Sequence, residues 1–160
     1  MIYSKEIIKH FRSPKNLGTM KNPDSVGEAG NTICGDMMKI YIKVKNGRIS
    51  DIKGSVFGCV VAIANTSLLT TMVKGKKIEE ALKIKKEDLI KKLGKVPPIK
   101  VHCSVLALDA LREAIYDFLK KNKMKIPKEL EKDHKRILET TKNIEKMHKD
   151  FVKFQRGLMK

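Results

Sequence analysis

One stretch, MKIYIKVKNGRISDI (residues 38–52), restricts the fold more than any other part of the chain. Met38, Ile40, Ile42 and Val44 alternate with Lys39, Tyr41, Lys43 and Lys45. A period of two places the apolar set on one face of a half-buried strand. Asn46-Gly47 follows, a pair in which both residues tolerate the positive φ of a two-residue hairpin turn. The return strand is expected over residues 48–57. Ile49 and Ile52 are three positions apart, so keeping both inward requires a bulge near Ser50 and Asp51. An antiparallel sheet with one wet face needs an apolar layer on the other, and the remaining sequence reads mostly as helix.

Those helices can be placed from apolar spacing. Residues 3–12 carry Tyr3, Ile7, Ile8 and Phe11 on one side, before Pro14 and Gly18 interrupt. Residues 19–33 show no periodicity and read as an irregular loop leading to Cys34-Gly35-Asp36. After Gly58-Cys59 a helix runs to Gly75, a suitable residue just past a helix end. Within it Asn65-Thr66-Ser67 matches a glycosylation acceptor, but a buried helix makes the match coincidental. Short helices are expected at residues 78–84 and 87–93. GKVPPIKV is expected to be extended, because Pro97 and Pro98 disfavour helix. A longer helix follows over about residues 103–121. Beyond Pro127, an extra C-terminal helix carries Leu130, Ile137, Ile144, Phe151 and Leu158 at intervals of seven, with Met147 and Phe154 between. It either docks on its own domain or forms a seam with another chain, a possible homodimer through residues 127–158. The domain reading is 1–124 for the core and 125–160 for the helical extension.

Composition narrows the function classes. The longest apolar run, VFGCVVAIA, is far short of the roughly 20 residues that span a bilayer. Lys5, Lys9, His10 and Arg12 break up any signal-like start. A cytoplasmic protein with no membrane association is expected. The net charge of +17 points first to nucleic acid. However, the lysines are dispersed and no aromatic residues interleave with them as a base-stacking platform requires, so no nucleic-acid partner is expected.

The three cysteines, Cys34, Cys59 and Cys103, lie far apart and are odd in number, which argues against a disulfide framework. Each falls at the end of an expected element. Two stand at helix starts, where free amides and the helix dipole favour a thiolate. Gly35 and Gly58 flank two of them. Asp36 and His102 add a carboxylate and an imidazole next to two of the thiols. Three sulfurs, one imidazole and one carboxylate suit a soft transition-metal site, holding zinc or iron with sulfide. No C-x-x-C knuckle is present, so a zinc finger is not indicated.

CGDMMKIYIKV, GCVVAIANTSLLTTMVKGK, PPIKVHCSVLALDALREAI and the opening IYSKEIIKHFRSPKNLG closely resemble the U-type iron–sulfur cluster scaffold family, IscU and the N-terminal domain of NifU. The resemblance covers roughly residues 2–122, with the three cysteines in register. It implies an α+β fold, a small antiparallel β-sheet built on the hairpin and packed against several α-helices, and an assembly scaffold rather than an enzyme. Cys34, Cys59 and Cys103 would be cluster ligands, and Asp36 the aspartate that keeps the cluster labile. His102 would be an alternative fourth ligand, Lys100 a lysine near the site, and Cys103 the persulfide acceptor.

The cargo so implied is a [2Fe–2S] cluster built from iron, with zinc able to enter the empty site. The implied partners are a cysteine desulfurase, apo iron–sulfur acceptor proteins, and a heat-shock 70-type chaperone at VPPIK (residues 96–100). Val60 and Val61 depart from the small residues the family usually places after its second cysteine, and the helix after residue 125 lies outside the family pattern. An alternative is a zinc-dependent sulfurtransferase of the SufU-like branch. That branch typically carries an insertion before its third cysteine and lacks the His-Cys pair, whereas His102-Cys103 is present here with no obvious insertion.

Overall fold

The computed structural model describes residues 2–31 and 35–158. Helix α1 (Lys5–Arg12) precedes strands β1 (Ser25–Gly30), β2 (Met37–Lys45) and β3 (Arg48–Phe57). Helices α2 (Val60–Val73), α3 (Ile78–Leu82) and α4 (Lys86–Leu93) follow, then a 3-10 turn (Pro98–Lys100), α5 (His102–Lys121) and α6 (Lys128–Leu158). The sheet is antiparallel, in the order β1-β2-β3.

The hairpin forms as its residues dictate. Asn46 and Gly47 take φ of 52° and 71°, the left-handed pair of a type I′ turn. Lys43 pairs with Asp51 but Val44 with Ile49, so Ser50 is the extra residue of the expected bulge. That insertion turns both Ile49 and Ile52 inward, where, with Met38, Ile40 and Ile42, they have no exposed surface. Gly75 follows the end of α2 with φ 86°, the left-handed cap its sequence position suggested.

Two expectations are corrected. Residues 25–30, within the expected loop, form β1. The inward residues of this strand are Ser25, Gly27 and Ala29, too small to register as apolar alternation. They are small because α5 lies directly on the strand. A Cβ at Gly27 would overlap Ala114 N and Ala110 O, and Ser25 Oγ donates to Ala114 O at 2.7 Å. Residues 98–100 are likewise not extended but make one 3-10 turn with Pro98 at its first position. A proline is acceptable there because that N–H has no partner within the turn.

Helix α6 is continuous over 31 residues. Leu130, Ile137 and Ile144 are buried, whereas Met147, Phe151, Phe154 and Leu158 are exposed. Its first half therefore docks on its own domain and its second half carries an exposed apolar stripe. Arg136 makes a bidentate pair with Asp109 (2.8 and 3.0 Å), and His134 stacks on Tyr116 at 3.8 Å between ring centroids while meeting Glu113 at 2.9 Å. The Asp109 carboxylate pushes the Arg136 guanidinium further up, so it stays charged. Burial raises the Glu113 carboxyl, with His134 working against the shift. These contacts fix α6 antiparallel to α5, returning it toward the end of α5 that carries Cys103. Among the described residues no helix is long and apolar enough to cross a membrane.

Candidate metal centre

Cys59 is the N-cap of α2, with extended backbone at φ −84° and ψ 175° immediately after β3. Cys103 is the second residue of α5. Both thiols therefore lie beside first-turn amides that have no partner within the helix. Asp36 comes from the β1–β2 connection. Asn31 N–H donates to Asp36 O and Gly35 N–H to Asn31 O, both at 2.9 Å, with Gly35 at φ 70°. This closure directs the Asp36 side chain toward the two helix starts.

The three residues meet. One ligand atom from each of Asp36, Cys59 and Cys103 lies within 4.8 Å of the others. Cys59 Sγ is 3.6 Å from Cys103 Sγ, and Cys103 Sγ is 4.0 Å from Asp36 Oδ2. A disulfide would hold the sulfurs about 2.0 Å apart. Two thiolates sharing a tetrahedral ion at bond lengths of about 2.3 Å lie about 3.8 Å apart. The observed separation thus matches the edge of a coordination tetrahedron, and the donor set fits zinc or a thiolate-bound iron centre. Asp36 is 6% exposed and Cys103 is fully buried, while Cys59 is half-buried. Of these three, Cys59 is the most open to solvent.

Two further features hold the group together. At Gly58 a Cβ would come within 2.9 Å of Asp36 Cγ and 3.0 Å of Asp36 Oδ2, so glycine here leaves the carboxylate its seat and a larger residue makes it shift. Ser104 Oγ donates to Asn65 Oδ1 at 2.9 Å, and Asn65 Nδ2 donates to Val61 O at 2.9 Å. Asn65 and Ser104 have no exposed surface. This buried tie joins α2 to α5, the helices that begin with the two cysteines, and so sets the distance between the sulfurs. Sequence reasoning passed over it. Its only signals were a polar residue within the apolar run of α2 and a serine next to Cys103.

The other candidates are placed as follows. Cys34 lies outside the described residues. His102 opens α5 beside Cys103 and is half-buried, but is not part of the Asp36, Cys59 and Cys103 group. Lys100 ends the 3-10 turn, also half-buried. In the 96–100 segment Val96 is buried whereas Ile99 is 76% exposed. Of the two valines after Cys59, Val61 is buried in the core and Val60 packs against it.

A family model described as the NifU-like N-terminal domain matches residues 2–125. The chain belongs to that family. Among relatives of this NifU-like domain, a protein of Archaeoglobus fulgidus named iron-sulfur cluster assembly scaffold protein IscU 1 is 50% identical over 141 residues. The match takes in 84% of this chain and 92% of the relative. A Drosophila melanogaster relative named iron-sulfur cluster assembly enzyme IscU is 43% identical over 129 residues, covering 78% of this chain and 83% of its own. In three dimensions the NifU-like fold is similar to a crystal structure from Fervidobacterium islandicum, titled a putative iron-sulfur cluster assembly scaffold protein for the SUF system. Its TM-score is 0.62 and its identity 26%, covering 72% of this chain and 97% of that one. The α+β class and the resemblance to the U-type family are both borne out.

Proposed function

We propose that the protein is a scaffold on which iron–sulfur clusters are assembled. It accepts sulfur from a cysteine desulfurase, takes up iron, holds a labile [2Fe–2S] cluster and passes it to apo-proteins. The observation that carries this reading is the convergence of Asp36, Cys59 and Cys103 at two helix starts and a hairpin loop, in a chain half identical to a named scaffold.

The chemistry follows from the donor set. The Cys103 thiolate attacks the outer sulfur of a desulfurase persulfide. A new S–S bond forms on Cys103, and the desulfurase leaves as its thiolate. Reducing that sulfur to sulfide takes two electrons, which an external electron-donor protein supplies. A stable electron-transfer cluster has four thiolates. Here Cys34, Cys59 and Cys103 supply three, and Asp36 or His102 supplies a harder fourth donor that an incoming thiolate displaces more readily. Lys100, at the neighbouring turn, adds positive charge near the anionic cargo.

The same reading makes residues 1–124 the scaffold unit and 125–160 an extension. It places the protein in the cytoplasm and offers 96–100, with Ile99 outward, to a chaperone of the heat-shock 70 class. Within α6, the self-association expected over 127–158 narrows to residues 147–158, because Leu130, Ile137 and Ile144 are engaged internally.

Anaerobic reconstitution with iron, cysteine and a desulfurase tests the assignment. Visible charge-transfer bands with matching iron and sulfide content are expected. Persulfide relay on a zinc-loaded chain that never builds a cluster would instead support the sulfurtransferase. Zinc in a purified sample decides nothing, since the thiolates capture it opportunistically.

A further inference from the structure

The α6 helix lies wholly outside the residues matched by the family model, yet it returns to the sheet end where the metal-site loop begins. Ile144 is 3% exposed. Its Cδ1 fills the space a side chain at Gly30 would occupy, sharing that space with Met37 Sδ. Gly30 and Met37 are the last cross-strand pair of β1 and β2. Asn31 and Asp36 follow them directly, linked by the Asn31 N–H to Asp36 O bond of 2.9 Å. Farther along, α6 grips α5 through Arg136–Asp109 and His134–Glu113, and α5 carries Cys103. One rigid helix thus holds both the strand ends that present Asp36 and the helix that presents Cys103.

We propose that α6 is a brace for the metal site, with Ile144 as its positioning residue. Seated on the Gly30–Met37 pair, Ile144 fixes the Asp36 carboxylate relative to the Cys103 thiol and sets how long the site keeps a metal or a cluster. The inference rests on the metal-site reading of Asp36, Cys59 and Cys103. The contact depends on glycine at residue 30 and a long aliphatic side chain at residue 144; a Cβ at residue 30 displaces Ile144 and Met37, and a short side chain at residue 144 leaves the strand ends uncovered.

The test uses the full chain, cobalt(II) as a spectroscopic probe and zinc for affinity and chelator-driven release. Ile144→Ala should release zinc about tenfold faster, the low end for losing a residue that supports a metal ligand. It should also shift the cobalt ligand-field bands and speed amide exchange at Asn31 and Gly35 in the metal-free protein. Gly30→Ala, which displaces Ile144 from the other side, should reproduce these changes, and Ile144→Leu should largely restore the parent behaviour. Ile137→Ala removes an equally buried residue of the same helix away from Gly30. It should lower thermal stability while leaving zinc release and the cobalt spectrum as in the parent. The brace is overturned if Ile144→Ala binds and releases metal like the parent, or if Ile137→Ala has the same effect on release for the same loss of stability. A parent chain that takes up neither cobalt nor zinc would overturn the metal site itself, and the brace with it.

Discussion

The sulfur atoms of Cys59 and Cys103, 44 residues apart in the chain, stand 3.6 Å from each other across the starts of two helices. That spacing suits two ligands of one metal ion, and the two differ in exposure, Cys59 being half-buried and Cys103 fully buried. The difference shapes the first expectation.

Cys103→Ser should abolish sulfur acceptance while the fold persists, since serine fills nearly the same buried volume. Persulfide mapping by mass spectrometry after desulfurase treatment is the check. Undiminished sulfur on Cys59 in that variant would assign the acceptor role to the more exposed thiol instead.

Asp36→Ala should give a longer-lived cluster that transfers more slowly. On the proposed ligand set, Cys34, Cys59 and Cys103 would remain, with His102 as the alternative fourth donor. Absorbance decay with and without an apo-ferredoxin measures both rates. Gly58→Ala should change transfer in the same direction, because its methyl group crowds the Asp36 carboxylate and displaces it. Faster spontaneous loss in Asp36→Ala would reduce Asp36 to a loop-shaping residue.

Ser104→Ala leaves Asn65 Oδ1 without the Ser104 donor in a site with no exposed surface. The cost should be about 1–3 kcal/mol, read by chemical denaturation. Because the tie sets the cysteine spacing, zinc affinity should fall as well. A loss of stability with unchanged affinity would limit the tie to packing.

His10 offers a pH test away from the metal. Its ring shares a 2.8 Å hydrogen bond with Ser67 Oγ. Burial holds its pKa below the ordinary value of 6.5, with Glu6 opposing the shift and Lys9 and Lys15 adding to it. The unfolded chain therefore binds this proton more readily than the folded one. The contribution to stability is complete above pH 6.5 and is lost as the pH falls through that value and below the folded pKa. His10→Gln should flatten the dependence of Tm on pH in that window. An unchanged slope would place the titration elsewhere.

A chain ending at Lys125 should fold and bind metal, with a Tm lower by about 10 °C from the loss of a few kcal/mol of apolar burial and pairing. Asp109 and Glu113 become solvated rather than stranded when α6 is removed, so no uncompensated buried charge remains. Sedimentation of the full and shortened chains, with Phe151→Asp as a point variant, reads any self-association through the outer half of α6. A shortened chain that cannot fold would make α6 part of the core.

The hairpin, its bulge and the helix boundaries were legible because each depends on neighbours in sequence. Alternation, Asn-Gly and the spacing of Ile49 and Ile52 act locally. Strand β1 was not legible, since Ser25, Gly27 and Ala29 are small to admit α5, whose approach is a tertiary fact. The three candidate ligands that meet were visible as residues at element ends. What holds them was not. Asn65 with Ser104, and Ile144 with Gly30, are pairs distant in sequence whose members look unremarkable until the chain closes. For α6, the heptad spacing revealed an apolar stripe but not that it divides near Ile144 into a docked half and a free half.

That division has a mechanical consequence. At about 1.5 Å per residue, the stretch from Leu130 to Ile144 and the stretch from Ile144 to Leu158 each span about 21 Å. The inner arm is clamped to α5 through His134 and Arg136, so the outer arm is a cantilever whose root rests on the strands beside Asp36. Sideways force applied to it by anything that grips Phe151 or Phe154 is delivered at Gly30. On the brace proposal, a contact that never comes near the cysteines changes how firmly Asp36 is held.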